Sequence, residues 1–533
     1  MNRLYAFPVI LRISDSSIML RLFPILIFFS LLANLSSNAQ RIFYSEPDRD
    51  DVRSLKFEIL GKFNNQYLVY KNIRNNHSVV IYSPDMAVKE KVPLDFIPER
   101  AINVDVFSNQ ENILVIYQVQ RRNVVYCMGV KLDANGRTVG EPLELDTTNI
   151  GTFASNKIYS VISSDDKQKL MVFKMKNRFR DDFEFQTLLL SNNLMPLRRS
   201  RFTYTLENTK EAIADFYLDN DGNFLFTHVK HQLEKEYVSM ANLCVLPTYG
   251  DSVIRQPLSL KGVFLDELRI KVDNNNGRYI LASFYSKLKR GTIDGMYLAV
   301  VPKDFTNPVM ENILEFDEEL RQQARGENSS KNAFNDYYLK HFIVRKDGGV
   351  LMTAESMYTN SRGNNFNRWD NPFLWGNPWG VGPGSFWGWN PYNTWGWGGW
   401  GSPWGWNSFG GAQTVRYYTD NVLLFSFGKE GSLQWKNVMA KSQFDDNSDN
   451  LISYQIMNSG SELLFLYNEW SRRVPMLSAQ SLSPSGQLNR QQPLRSLDKG
   501  FEFMIRYARQ VAAREMLAPV QYRSSIAFAR IEF

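Results

Sequence analysis

The sequence predicts an all-β fold of the β-propeller class, and a repeated short apolar segment is the first observation that predicts it. Seven such segments are rich in β-branched or aromatic residues, and each follows a cluster of turn residues. They are QYLVYKN from Gln66, NILVIYQ from Asn112, KLMVFKM from Lys169, NFLFTHV from Asn223, RYILASF from Arg278, GVLMTAE from Gly349 and ELLFLYN from Glu462. We interpret each as the second strand of one four-stranded blade.

A second series of turn residues repeats in step with the first. Gly, Asn, Asp and Pro recur in it because tight hairpin loops need a positive φ or a preset turn angle. The turns lie at Pro84-Asp85, Asn135-Gly136, Asn192-Asn193, Tyr249-Gly250, Lys303-Asp304, 429–431 and 484–486. Two series that agree on seven units favour a propeller over a β-sandwich or two smaller domains.

The two ends of the chain supply an eighth unit. Three strand-like segments follow the seventh unit, and a lone one, RIFYS, begins at Arg41; the three are FEFMIRY from Phe501, REMLAPV from Arg514 and SIAFARIEF from Ser525. Pairing the lone segment with these three would leave no open sheet edge. We therefore predict eight blades in one domain over residues 40–533, with the N-terminal strand closing the last blade and seven blades as the alternative.

The amino end has the pattern of an export signal. An apolar run from Leu22 to Leu35 follows Arg21 and precedes small residues that end at Ala39. This order is typical of a secretory signal peptide over residues 1–39, for which Met19 is a second candidate start. We expect an exported protein that is periplasmic, outer-membrane-associated or secreted, without a transmembrane anchor after cleavage; an uncleaved membrane anchor is the alternative.

Charge and cysteine content exclude several classes of function. A formal net charge of +6 over 533 residues is nearly neutral, whereas nucleic-acid binding requires a concentrated basic face. Cys127 and Cys244 fall on third strands two units apart, beyond the roughly 7 Å that a disulfide spans between α-carbons. We expect no disulfide and no nucleic-acid partner; the oligomeric state stays open.

Residues 361–415 form a low-complexity segment rich in tryptophan and glycine. The stretch 371–415 has no charged residue, and its Gly and Pro content disfavours a long helix or strand. The segment interrupts the sixth unit between its second and third strands, a connection that in a propeller emerges on the face that carries binding sites. We predict ligand-binding roles for Trp375, Trp379, Trp387, Trp389, Trp395, Trp397, Trp400, Trp404 and Trp406.

Indole rings flanked by amides suit three kinds of partner: sugar rings, lipid headgroups and other proteins. The leading hypothesis is an exported, non-enzymatic propeller that binds a carbohydrate or an envelope protein through this segment. The alternative for the segment is a disordered or self-packed loop that recognises nothing.

The ends of the second strands suggest a second candidate site. Alignment of the units places Gln118, Lys174, His228, Glu355 and Glu469 at or near the ends that lead to the same face. Glu355 and Glu469 are predicted ligand-binding residues, and as a carboxylate pair they would support a glycan-acting hydrolase. Solvated rim residues are the alternative for the positions, and structural assembly in the cell envelope is a third function.

Metal and cofactor signatures are weak. His228 and His231 lie close to Glu234 and Glu236, but residues three apart on a strand point to opposite faces, so the histidines would not share a ligand. No Gly-x-Ser-x-Gly, paired zinc motif or phosphate loop occurs in the sequence. We predict no metal site, no cofactor and no motif-borne catalytic residue.

Three segments resemble a group of uncharacterised secreted propeller-like proteins of Gram-negative bacteria. They are VLMTAESMY from Val350, YYTDNVLLFSFGKEGSLQWKNVMAKSQ from Tyr417 and IAFARIEF at the end of the chain. The shared pattern is a strand ending in Glu355, the pair Tyr417-Tyr418 and the pair Trp435-Lys436. The resemblance implies export and a propeller and no activity, and the tryptophan-rich segment departs from it.

Overall fold

Antiparallel strands dominate the computed structural model. It describes residues 41–48, 55–151, 157–179, 181–207, 210–231, 237–325, 334–360, 416–446, 449–471, 474–491, 493 and 500–533. The described residues between Ile42 and Glu532 belong to one folded unit. Within these ranges the structure has one α-helix, α1 (Glu318–Ala324), and none of its helices is long and apolar enough to cross a membrane. The predicted all-β fold is confirmed.

In chain order the strands are β1 (Arg41–Tyr44), β2 (Leu55–Phe63), β3 (Gln66–Ile73), β4 (Asn76–Tyr82), β5 (Val88–Pro93), β6 (Ala101–Ser108), β7 (Ile113–Arg121), β8 (Val124–Leu132), β9 (Thr138–Asn149), β10 (Ser160–Ser163), β11 (Lys169–Phe179), β12 (Asp182–Ser191), β13 (Pro196–Thr205), β14 (Glu211–Leu218), β15 (Phe224–His231), β16 (Val238–Leu246), β17 (Ile254–Leu258), β18 (Phe264–Leu265), β19 (Arg269–Asp273), β20 (Arg278–Ser286), β21 (Gly295–Pro302), β22 (Met310–Glu315), β23 (Tyr337–Val344), β24 (Val350–Asn360), β25 (Arg416–Phe427), β26 (Leu433–Met439), β27 (Gln443–Asp446), β28 (Tyr454–Asn458), β29 (Leu463–Ser471), β30 (Val474–Leu482), β31 (Leu488–Arg490), β32 (Phe501–Phe503), β33 (Arg509–Ala512), β34 (Glu515–Tyr522) and β35 (Ser525–Glu532).

Consecutive strands pair into consecutive sheets. β2–β5, β6–β9, β10–β13 and β28–β31 each form a four-stranded antiparallel sheet, and β23–β26 form another with β27 added on β25. The seven apolar segments seen in the sequence become β3, β7, β11, β15, β20, β24 and β29, each the second strand of its group. β14–β22 differ from the expected pattern because the short strand β18 pairs with both β16 and β20 and joins two groups into one nine-stranded sheet. The architecture is propeller-like.

The apolar core lies between successive sheets. On β7, Val115 belongs to a cluster shared with the sheet before it, and Leu114 belongs to a cluster shared with the sheet after it. Because neighbouring residues of a strand point to opposite faces, both faces of this sheet are buried. This arrangement explains why the second strands are continuous apolar runs and do not alternate with polar residues.

The N-terminal strand joins the C-terminal ones. β1 pairs with β35 in a five-stranded sheet that also contains β32, β33 and β34. The Ser45 N–H donates to the Phe528 carbonyl at 2.8 Å, and the Phe528 N–H donates to Ser45 Oγ at 3.0 Å. The same sheet contacts the first one, since Arg509 donates to the Ile59 carbonyl at 2.6 Å. The two ends of the described chain are therefore held together.

The two cysteines are buried free thiols in different clusters. Cys127 packs in the cluster between the second and third sheets. Cys244 packs in the next cluster, with its sulfur 3.1 Å from the Tyr204 hydroxyl. Burial raises the pKa of Cys244 to about 12, so the thiol stays protonated at neutral pH.

Removal of β1 tests its contribution to stability. We expect a chain that lacks residues 1–48 to lose at least about 2 kcal/mol of unfolding free energy relative to one that lacks residues 1–40, because the Phe528 N–H and the edge of β35 lose their partners. Ser45→Ala, which removes the Oγ that accepts from the Phe528 N–H and donates to the Glu46 carbonyl, should cost about 1 kcal/mol. Urea unfolding followed by circular dichroism measures both; equal midpoints for the two truncations would contradict a role for β1.

Candidate functional site

The tryptophan part of the sequence prediction lies outside the described residues. Trp375, Trp379, Trp387, Trp389, Trp395, Trp397, Trp400, Trp404 and Trp406 all fall within 361–415, and Glu234 and Glu236 fall within 232–236. Residues 1–39, interpreted as a signal peptide, are also outside. The described candidates are those at the second-strand ends.

Glu355 on β24 is the centre of a buried ionic cluster. Its side chain is fully buried and lies between the ammonium groups of Lys340 and Lys441. Lys441 Nζ is 2.7 Å from Oε1, and Lys340 Nζ forms an ion pair with Oε2. Ser453 Oγ donates a hydrogen bond to Oε2 at 2.6 Å and also contacts Lys340 Nζ. The solvated rim position that the sequence left open does not apply to Glu355.

Two β-bulges shape this cluster. The β23–β24 register shifts between Leu339 and His341, which leaves Lys340 as an extra residue opposite β24. A second shift, between β24 and β25, follows Glu355 directly. Since a bulge changes the direction of a side chain without ending the sheet, these irregularities allow Lys340 to reach the carboxylate.

Ser453 is held in an unfavourable backbone conformation just before β28. Its φ is +80°, in the left-handed region that non-glycine residues rarely adopt. Its N–H donates to Gln443 Oε1 at 2.8 Å and to Thr419 Oγ1 at 3.1 Å, and these contacts hold the residue in place. Strain of this kind costs on the order of 1–3 kcal/mol and is concentrated at functional sites.

The charges of the cluster are strongly coupled. Burial by itself would raise the pKa of Glu355, but Lys340 and Lys441 outweigh burial and lower it to about 2. Burial lowers the pKa of Lys340 to about 8, against the attraction of Glu355. At neutral pH the carboxylate is therefore ionised, and Lys340 is mostly protonated but within about one unit of its pKa.

The same strand position in two other sheets is neutral. Gln118, seventh in its segment as Glu355 is, accepts hydrogen bonds from the N–H groups of Ile158 and Tyr159 at 2.9 and 3.0 Å. Asn468 donates to the Phe503 carbonyl at 2.6 Å. All three residues therefore connect a second strand to the segment that leads into the next sheet. Since an amide is sufficient for that role, the buried charges around Glu355 need another explanation.

Glu469, the other predicted carboxylate, has separate partners. It lies one residue beyond Asn468 on β29, accepts a hydrogen bond from Ser478 Oγ at 2.7 Å and forms an ion pair with Arg490. Its side chain is 31% exposed, unlike that of Glu355. Among the described residues, no partner is common to the two carboxylates.

The remaining aligned residues also have structural partners. His228 Nε2 lies 3.0 Å from Glu211 Oε2, and Nδ1 lies 3.0 Å from the Tyr204 hydroxyl. Lys174 forms an ion pair with Asp146 at 2.6 Å. These contacts stabilise neighbouring strands, and the described residues contain no group of three or more His, Cys, Asp or Glu side chains that could hold a metal.

The sequence analysis missed Lys340, Lys441 and Ser453. One signal was present, because Lys340 is the one charged cation in the largely apolar strand YYLKHFIV, in which His341 is neutral. Ser453 had no local signal, since its backbone is held by residues 10 and 34 positions away and its hydroxyl contacts residues 98 and 113 positions away in the chain.

No protein-family model and no curated protein matches the chain. Solved structures similar to it include prolyl oligopeptidase B from Galerina marginata, with 8% identity, a TM-score of 0.37 and coverage of 96% of this chain and 59% of that one. An acylaminoacyl peptidase from Pyrococcus horikoshii has 10% identity and a TM-score of 0.32, over 91% of this chain and 58% of that one. The chain thus spans less than two thirds of the length of these peptidases. For a cobalt-substituted ACO from Synechocystis the identity is 10%, the TM-score 0.30 and the coverage 93% and 94%.

The comparisons correct the expected function. The expectation was a non-enzymatic propeller that binds a carbohydrate or protein through its tryptophan-rich segment, with a glycan hydrolase or an envelope assembly component as alternatives. It is wrong on this comparison, because the similar solved structures include peptidases. Glu355 gives a physical reason against the glycan hydrolase, since a carboxyl group with a pKa of about 2 is not a general acid near neutral pH. At identities of 8 and 10%, these similarities assign no activity to this chain.

Replacement of Glu355 tests the electrostatics of the cluster. We expect Glu355→Gln to lower the unfolding free energy at pH 7 by about 3–5 kcal/mol, because it leaves two buried ammonium groups without their carboxylate. The folded-state pKa of Glu355 lies below its ordinary value of 4.5, so its contribution is full above pH 4.5 and disappears as the pH falls toward 2.

Urea unfolding of wild type and variant at pH 7, 5 and 3 measures this effect, and the difference between them should shrink at pH 3. Glu469→Gln is the matched control, because its partly exposed carboxylate should cost about 1 kcal/mol or less. A pH-independent difference for Glu355→Gln would contradict the assignment.

Proposed function

We propose that this chain is an acyl hydrolase in which Ser453 is the nucleophile and Lys340 is its general base, acting on an ester or amide bond. One observation carries the proposal: a serine with a strained backbone contacts a lysine whose pKa is lowered to about 8. A weakly acidic hydroxyl needs an adjacent base to become a nucleophile, and a lysine does this only when its own pKa is lowered.

The reaction follows from these two groups. Neutral Lys340 takes the proton of Ser453 Oγ as this oxygen attacks the acyl carbon. The bond to the leaving group breaks, and the leaving amine or alcohol takes the proton from the Lys340 ammonium. Water, deprotonated by Lys340, then attacks the acyl-serine ester, and the proton returns to Ser453 as the acid is released. Glu355 orients Lys340 and Ser453 and stays ionised throughout.

Access to the site is expected from the side of Lys340. Its side chain is 15% exposed, whereas Ser453 is fully buried. Acylation would require the Ser453 hydroxyl to rotate about χ1, away from Glu355 and toward this exposed side. The hydrogen bonds of the Ser453 N–H hold only the backbone, so this rotation has to break the hydrogen bond of the hydroxyl to Glu355 Oε2 and no backbone contact.

We also propose the finer architecture in which this site lies. The paired strands β1 and β35 and the contact of Arg509 with Ile59 support an eight-bladed propeller that the N-terminal strand closes. The apolar run from Leu22 to Leu35 supports export.

Labelling with a fluorophosphonate, which reacts covalently with activated serines, tests the proposal. We expect a single adduct on Ser453 by peptide mass spectrometry, with a rate that rises with pH to a plateau above about 8 as Lys340 loses its proton. Ser453→Ala should abolish labelling, and Lys340→Met should reduce it at least 100-fold, in line with the usual contribution of a general base. A panel of p-nitrophenyl esters and peptides then measures turnover.

Ser478→Ala is the matched control. Ser478 is also buried and donates to a carboxylate, Glu469, but within the described residues no lysine contacts it. This variant should label at the wild-type rate. Absence of labelling at Ser453 in folded wild-type protein up to pH 9 would overturn the proposal and leave the cluster with a purely structural role.

A further inference from the structure

Two lysines share the single carboxylate of Glu355, and their surroundings differ. Lys441 is fully buried and has three oxygen contacts besides Glu355: the Thr419 carbonyl at 3.2 Å, Thr419 Oγ1 at 3.1 Å and Gln443 Oε1 at 2.9 Å. An ammonium group has three protons to donate, so these acceptors satisfy its charged form completely.

Lys340 has weaker support for its charge. Among the described residues, its Nζ contacts the oxygens Glu355 Oε2 and Ser453 Oγ and lies 4.7 Å from the centre of the Tyr454 ring. The cation Arg506 lies near enough to lower the Lys340 pKa, whereas Asp420 favours the charge of Lys441. His341, the neighbour of Lys340, is neutral because burial lowers its pKa to about 3. Lys340 is therefore the lysine that more readily loses its proton.

The charge balance gives the same result. One carboxylate compensates one ammonium, so two protonated lysines leave an excess positive charge in a buried site, which is costly. The site becomes neutral when one lysine releases its proton. The lysine with more acceptors keeps its proton, and the one with fewer acceptors releases it.

We infer that Lys441 is a positioning residue that acts as the permanent counter-ion of Glu355 and thereby leaves Lys340 free to exchange a proton with Ser453. The inference rests on the proposed function for its role in the reaction, but the division of charge between the lysines holds independently of it. Lys441 acts on Lys340 through Glu355, and it also donates to Thr419 Oγ1 and Gln443 Oε1, the two acceptors that hold the Ser453 N–H.

The test measures both lysines in the folded wild-type protein. Lysine labelled with ¹³C at Cε is titrated by NMR, with the signals of Lys340 and Lys441 assigned from Lys340→Arg and Lys441→Arg variants. We expect Lys340 to titrate near pH 8, and Lys441, whose pKa burial also lowers from its ordinary value, to lose its proton only at a clearly higher pH. The reverse order, or simultaneous titration of both lysines in the wild-type protein, would overturn the inference.

Lys441→Met gives the functional readout. With Lys441 gone, Glu355 is compensated by Lys340 alone, so the Lys340 pKa and the acid limb of the fluorophosphonate profile should both rise by at least about one unit. This is roughly a tenfold lower labelling rate at pH 7, where the rate follows the neutral fraction of Lys340. Lys441→Arg keeps the charge and should leave the limb near its wild-type position. An unchanged limb in Lys441→Met overturns the inference.

The two failures are distinguishable. If Ser453 never labels but the lysines titrate as expected, the proposed hydrolase fails and the counter-ion role stands. If Ser453 is labelled but the acid limb of its pH profile is the same in wild type and Lys441→Met, the hydrolase stands and the counter-ion role fails.

Discussion

Burial of both faces of each sheet is the constraint on which the structure depends. In β24, Met352 belongs to the cluster shared with the preceding sheet, whereas Leu351 belongs to the cluster shared with the following one. A sheet that is apolar on both faces is stable only between two neighbours. The repeated apolar segments therefore produce a series of sheets in chain order.

This constraint concentrates polar chemistry at the ends of the second strands. The chain must pass from one sheet to the next there, and its backbone groups need partners where water is scarce. Gln118 and Asn468 supply them with neutral amides. Glu355 occupies the corresponding position with a charge and draws in Lys340 and Lys441. The connection between these two sheets therefore contains three charged side chains, one carboxylate and two ammonium groups.

The excess of one ammonium group over the single carboxylate gives the site its chemistry. With one lysine and one carboxylate, the lysine would stay protonated and the carboxylate ionised over the whole neutral range. A carboxylate between two lysines compensates the charge of only one ammonium group. Burial in the core disfavours the second charge and lowers the pKa of Lys340, the lysine with fewer acceptors. Ser453 lies at this labile proton in a strained conformation that only its hydrogen bonds to neighbouring strands maintain.

The sequence alone determined the strands, because each apolar segment and each tight turn is specified by residues a few positions apart. The strand-like segments RIFYS and SIAFARIEF likewise predicted the pairing of β1 with β35. The tertiary structure alone decided that β18 joins two groups of strands, that a bulge directs Lys340 to Glu355, and that Ser453 has a positive φ. These features depend on contacts between distant segments, such as that of Glu355 with Ser453, 98 residues further along the chain. A local pattern contains no information about such contacts, since their energy arises only when the sheets pack together.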